Sequence, residues 1–180
     1  MGVESIAGDV IGDDNAWTDE HVRDSWPQDI WGWSYAEFGP LVINESYVDL
    51  QIIPPETVDG EVRIEPNLPS GYYTINADID VVENGRNWIS YERDYGRNYL
   101  RLRGQVVAGS DSFERSPNIT NPTKFYVTVL KETLENQGIK VDGAPIDCDE
   151  IPNWEQNASK KETILVHKSP LLKDILAMLM

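Results

Sequence analysis

The chain is short of thiols, imidazoles and positive charge. It has one cysteine, two histidines, and 15 basic residues against 31 acidic ones, for a formal net charge of −16. With Cys148 alone, no intrachain disulfide can form. Its neighbours Asp147, Asp149 and Glu150 raise a thiol's pKa and make it a poor nucleophile. His21 and His167 are too few for a His-rich zinc site. The acidic balance argues against a nucleic-acid partner, which needs a basic stripe, and against anionic membrane surfaces. No run of 18 apolar residues is present, so no transmembrane helix is expected, and no signal-peptide pattern opens the chain.

What is present is an ordinary globular composition: 180 residues, 40% hydrophobic and 26% charged. That length supports one domain or two small ones, and a core large enough to need no disulfide or metal.

The best-formed helix signal lies in Arg115–Gly143. Asn121 is a candidate N-cap and Pro122 suits the first helical position. Tyr126, Val129, Leu130 and Leu134 fall on one apolar stripe, and Gly138 stands where a left-handed C′ residue is wanted. Ile139–Val141 then alternates like a strand. Upstream, strands are expected around Val10–Ile11 and over Leu41–Ile53, with Val48, Leu50 and Ile52 on one side. Residues 56–108 are nearly all strand and turn. Tyr73 to Val81 forms a period-2 face, Asn84-Gly85 reads as a hairpin turn with Trp88–Tyr91 as the return, and Leu100 and Leu102 are in phase. Asp142–Lys161 reads as a loop, Thr163–His167 as a last strand, and Ser169-Pro170 as the start of a final helix. The fold class is therefore α+β: an antiparallel sheet with flanking helices from 1–55 and 109–180, and an all-β subdomain inserted at 56–108.

Two acidic stretches invite a cation reading. Asp9, Asp13, Asp14 and Asp19, and later Asp78, Asp80 and Glu83, both miss the ligand spacing of a calcium loop, so no metal is expected. Residues 16–38 are rich in aromatics, with Trp17, Trp26, Trp31, Trp33, Tyr35 and Phe38. Such rings either cover a sheet edge or offer a binding platform with polar handles; covering is the preferred reading. Tyr91, Arg93, Tyr95 and Arg97 are read as a cross-strand surface group.

Several blocks together carry a family likeness. Arg115-Ser116-Pro117, the Pro122 helix with its Tyr126, Gly138-Ile139 with Val141 and Gly143, and His167-Lys168-Ser169-Pro170-Leu171 resemble the class C low-molecular-mass penicillin-binding proteins. These are D-alanyl-D-alanine carboxypeptidases and endopeptidases. Gly2–Asp14 and Leu41–Leu50 are similar to the same family in weaker form, in the right order. The resemblance implies a parent that is periplasmic or extracellular and cleaves the terminal D-Ala-D-Ala bond of peptidoglycan stems through an acyl-serine, with no cofactor. It implies substrate contacts at Trp33, Tyr35 and Glu37, in a loop shorter than the family's and with Ala36 where an acid is expected.

The chemistry itself is not in this sequence. No Ser has Lys three residues on, and no Lys-Thr/Ser-Gly occurs. A serine DD-peptidase needs both, together with a Ser-x-Asn. Ser116-Pro117-Asn118 matches the last by letter, but Pro117 opposes the active-site geometry. The expectation is a non-catalytic portion of such an enzyme, inactive alone. It would shape the cleft or contact the cell wall, with stem peptide or glycan and the missing catalytic domain of the same chain as partners. The alternative is an extracellular carbohydrate-binding or protein-interaction module using the Trp-rich loop.

Overall fold

The computed structural model describes residues 2–18, 20–22, 25–26, 32, 35–94, 96–154 and 162–179. The chain divides into two compact units, Met1–Glu150 and Ile151–Met180.

The first unit is α+β. Its strands are β1 (Ser5–Ile6), β2 (Val10–Gly12), β3 (Leu50–Ile53), β4 (Arg63–Pro66), β5 (Thr74–Val82), β6 (Trp88–Arg93), β7 (Tyr99–Val107), β8 (Phe113–Arg115), β9 (Lys140–Val141) and β10 (Pro145–Asp147). The helix α1 (Pro122–Asn136) lies between β8 and β9 in the chain. The strands make small sheets in the orders β1-β9, β10-β2, β4-β3-β8 and β5-β7-β6. Pairs β3–β4, β3–β8 and β6–β7 are antiparallel. Pairs β1–β9, β2–β10 and β5–β7 are parallel. The two short parallel pairs join the start of the chain to the segment that follows α1.

Period-2 alternation fixes the core. Val48, Leu50 and Ile52 are fully buried, as are Leu100, Leu102 and Val106 of β7, and these pack with Ile119 and Phe125 in one cluster. Burying a side chain of this kind is worth roughly 1.5–3 kcal/mol. The expected long strand over 41–53 is shorter than its pattern, because Asn44, Glu45 and Ser46 form a tight left-handed turn before it.

Helix α1 begins and ends as its sequence dictates. Asn121 Oδ1 accepts the Lys124 N–H at 2.7 Å, with Pro122 inside the first turn. At the other end Gly138 adopts φ +85, and the N–H groups of Gly138 and Ile139 donate to the carbonyls of Glu135 and Leu134. These two bonds are the Schellman termination, which needs a residue free to turn left-handed. The buried face differs from the expected stripe. Leu130 is 38% exposed, while Pro122, Thr123, Phe125, Val127 and Val129 are buried. At 100° per residue, Phe125 and Val129 point opposite to Thr123 and Val127. The helix is packed on two sides. Phe125 and Val129 meet the β core, while Thr123 and Val127 meet β2, where a Cβ at Gly12 would sit 2.5 Å from Thr123 Cγ2.

Three further expectations are corrected. Asn84-Gly85 does not join paired strands, since β7 lies between β5 and β6 and pairs with both. The antiparallel hairpin is instead β6–β7, closed through the Arg97 N–H bond to the Asp94 carbonyl at 2.9 Å. The loop expected over Asp142–Lys161 contains β10, which pairs with β2 from Pro145 to Asp147. Arg93 is buried and not part of a surface group; Tyr95 lies outside the described residues.

In the second unit, 162–171 makes no ladder, so the strand expected at Thr163–His167 does not form; Ile164 is 86% exposed. A strand needs a hydrogen-bonded neighbour to persist. The final helix α2 is Leu172–Leu179. Its first bonds run from Asp174 and Ile175 to the Leu171 carbonyl, two residues beyond the expected Ser169 cap.

Candidate functional site

The loop expected to contact substrate is anchored on the segment that leads into α1. Trp33 lies outside the described residues; Tyr35 and Glu37 are described. Gly32 and Tyr35 close a turn, with the Tyr35 N–H donating to the Gly32 carbonyl at 3.0 Å. Asn118, buried, holds both ends of that turn. Its Nδ2 donates to the Tyr35 carbonyl at 3.0 Å and to the Gly32 carbonyl at 3.3 Å. Gly32 also bridges to Pro117, and Tyr47 to Asn118.

Glu37 fixes the far side of the loop. Its Oε2 accepts the Asn121 backbone N–H at 2.8 Å and its Oε1 accepts the Thr120 hydroxyl at 2.5 Å. The Arg93 guanidinium lies 3.8 Å from Oε1, with the Arg93 and Glu37 side chains 6% and 13% exposed. The carboxylate sits at the N-terminus of α1, where unpaired N–H groups and the helix dipole favour negative charge. Thr120 is held in turn by Asn98, which accepts its N–H at 2.9 Å and donates to its carbonyl at 3.3 Å. The Tyr72 hydroxyl donates to the same carbonyl at 3.1 Å, and burial pushes that phenol well above its usual range. Tyr72 stacks on Phe125, with ring centroids 5.6 Å apart.

The aromatics of the loop form a cluster of their own. Trp26 meets Tyr35 edge-on at 5.6 Å and Phe38 at 6.0 Å. His21 is tied to Phe38 by two contacts, Nδ1 to the Phe38 carbonyl at 3.0 Å and the Phe38 N–H to the His21 carbonyl at 3.1 Å. Trp17 and Phe38 remain exposed. Beneath the loop, Asn44, Glu45 and Ser46 have φ of 46, 52 and 60. Each such non-glycine residue costs on the order of 1–2 kcal/mol. The cost is offset by hydrogen bonds, including the local Asn44 Nδ2 to the Tyr47 carbonyl at 2.9 Å and the long-range Ile119 N–H to the Ser46 carbonyl at 2.8 Å.

The Ser116-Pro117-Asn118 string is thereby accounted for. The Ser116 hydroxyl donates to Asp49 Oδ1 at 2.7 Å, and Asn118 clamps the loop. Both groups hold structure.

One cluster escaped the sequence. Parallel pairing of β2 with β10 brings Asp14 to Asp147, Cys148 and Asp149, whose ligand atoms all lie within 4.8 Å of one another. Their carboxylates accept from protein donors: the Thr123 hydroxyl donates to Asp14, Asn121 Nδ2 to Asp147 at 2.9 Å, and the Asp149 N–H to Asp147 at 3.2 Å. Asp14 and Asp147 therefore serve the first turn of α1, as Glu37 does. Cys148 is buried there, and burial first, then the Asp14 and Asp149 charges, push its thiol up to about 11. Local spacing could not reveal this group, because Asp14 lies more than 130 residues from the other three.

No curated protein matches the chain. Among solved structures, penicillin binding protein 4 (dacB) from Haemophilus influenzae is similar with a TM-score of 0.62 at 15% identity, over 81% of this chain and 33% of that one. At that identity the likeness speaks for the fold. The same Haemophilus protein complexed with a novel β-lactam matches with a TM-score of 0.49 at 13% identity, over 81% of this chain and 29% of that one. The chain thus spans about a third of the length of the structures it matches. No helix among the described residues is long and apolar enough to cross a membrane. A model of the D-Ala-D-Ala carboxypeptidase 3 (S13) family matches residues 1–180, and the chain belongs to that family.

Proposed function

We propose that this chain is a non-catalytic portion of an exported serine-type D-Ala-D-Ala carboxypeptidase, with residues 56–108 as a β-rich insert between 1–55 and 109–180. Its loop carrying Trp33, Tyr35 and Glu37 forms part of one wall of the cleft that receives the peptidoglycan stem peptide. The observation that carries this reading is the double clamp on that loop. Asn118 holds its start and Glu37 binds its end to α1. A loop spent only on covering a core needs hydrophobic contact alone; beside its Trp26–Tyr35–Phe38 ring contacts, this one is tied by directional bonds at both ends, as a binding surface must be to keep its geometry. Tyr35 and Trp33 then supply contact area, and Glu37 sets their position. The acyl-serine chemistry belongs to the rest of the parent enzyme, since the Ser-x-x-Lys and Lys-Thr/Ser-Gly elements are absent here.

The test is kinetic, in the longer parent enzyme. Trp33→Ala and Tyr35→Ala are expected to raise KM for a D-Ala-D-Ala peptide several-fold, with the acylation rate by a simple penicillin unchanged. Equal loss of both activities would mean that the loop supports the catalytic centre itself. No change in either would remove the loop from the cleft.

A further inference from the structure

Strand β6 turns one row of side chains inward. Ile89, Tyr91 and Arg93 alternate with the exposed Trp88, Ser90 and Glu92, so the three share one face. The row changes character along its length. Ile89 lies in the β core and Tyr91 packs against it. The Tyr91 hydroxyl also abuts the aromatic loop, since a Cβ at Gly32 would sit 3.3 Å from it. Two residues on, the Arg93 guanidinium stands 3.8 Å from Glu37 Oε1 and donates to the Arg97 carbonyl at 3.4 Å. One strand therefore meets the loop at both ends, Gly32 and Glu37. The strand is itself firmly seated. It pairs with β7 from Trp88 to Arg93, and Arg115 Nε donates to the Ile89 carbonyl at 3.2 Å.

We infer that β6 is a positioning strand for the aromatic loop, with Arg93 the positioning residue for Glu37 and Tyr91 the spacer at Gly32. Its effect on substrate rests on the cleft reading above. A charged side chain on the inward face of a strand is costly unless it is paired. Arg93 and Glu37 are both nearly shut off from water, so each charge depends on the other. The Thr120 hydroxyl and the Asn121 N–H, which also hold Glu37, are neutral donors. Among the described residues, Arg93 is the cation paired with this carboxylate. Thr120 and Asn121 grip Glu37 from the start of α1, and Arg93 closes on it from β6. The planar guanidinium serves Glu37 and the Arg97 carbonyl together, whereas a lysine would supply the charge without the fork. Residues 56–108, which contain β6, thereby gain a task in substrate binding. They hold the wall of the cleft in place without touching the substrate, as a supporting shell does.

The experiment has two readouts. The first is hydrogen exchange in the 180-residue chain at the Tyr35 and Phe38 amides, which are bonded to the Gly32 and His21 carbonyls. Arg93→Gln should speed exchange at both about tenfold or more, with the β5–β7 ladder unchanged. Arg93→Lys should recover part of the protection. The second readout is kinetic, in the longer parent enzyme. Arg93→Gln should raise KM for a D-Ala-D-Ala peptide several-fold with kcat and acylation by a simple penicillin unchanged, and Arg93→Lys should restore part of it. Should Arg93→Gln lose its fold, the Gly32 contact decides. Gly32→Ala should speed exchange at Tyr35, and adding Tyr91→Phe, which removes the hydroxyl, should reverse this. Loop exchange that stays unchanged, exchange that rises uniformly through the sheet, or a missing Tyr91→Phe rescue overturns the proposal. So does a KM that rises in Tyr35→Ala and not in Arg93→Gln, which leaves the cleft reading standing. If Tyr35→Ala leaves KM unchanged, the cleft reading fails, and loop exchange still decides the positioning role.

Discussion

Glu37 Oε2 accepts the backbone N–H of Asn121 at 2.8 Å, across 84 residues of chain. Through this bond the aromatic loop and the N-terminus of α1 form one piece. Charge-assisted hydrogen bonds of this type contribute about 1.5–3 kcal/mol when buried. Glu37→Ala is therefore expected to cost about 2–3 kcal/mol, read as a lower urea midpoint with an unchanged m-value. A loss below about 0.5 kcal/mol, the range of an ordinary surface change, would contradict the arrangement.

Asn118→Ala removes the clamp on Gly32 and Tyr35. Its amide is buried, so the carbonyls it serves lose their donor at a cost of about 1–3 kcal/mol. More specifically, limited proteolysis within residues 32–38 should accelerate relative to cleavage elsewhere. Uniform acceleration across the chain would mean global destabilisation with no local release.

The two-sided packing of α1 makes opposite predictions for two apolar residues on one helix. Phe125→Ala should cost about 3–5 kcal/mol by leaving a cavity, and Leu130→Ala should stay within about 0.5 kcal/mol. Equal costs would restore the single apolar stripe.

Cys148 gives the pH dependence. Its folded thiol is raised to about 11 from an ordinary 9.0. Above pH 9 the unfolded chain releases a proton that the native state keeps, so the native state binds more protons. This contribution is fully present below pH 9 and is lost as pH rises toward 11. Stability should fall across that window, and Cys148→Ser should flatten the fall. At pH 8 a thiol reagent should react slowly with the native chain and rapidly in urea.

How legible was this in the sequence? Features set by neighbours in the chain were readable. Asn121, Pro122 and Gly138 delimit α1 through local bonds, and Leu100 and Leu102 alternate into the core as their spacing dictates. Features set by distant partners were hidden. The stripe on α1 misled because β2 and β10 cover its second side, and Asn84-Gly85 misled because β7 takes the place between β5 and β6. Tyr35 and Glu37 were singled out by the family resemblance, whereas their supports Asn118, Thr120 and Asn121 lie more than 80 residues away. The left-handed Asn44-Glu45-Ser46 turn contains no glycine, so the usual signal for positive φ was missing.

Intact mass after incubation with a fluorescent penicillin tests the central claim most directly. The 180-residue chain should remain unmodified, while the longer parent enzyme containing it should gain one covalent adduct. An adduct on the 180-residue chain itself would contradict the account, and peptide mapping would then identify the nucleophile, beginning with Ser169.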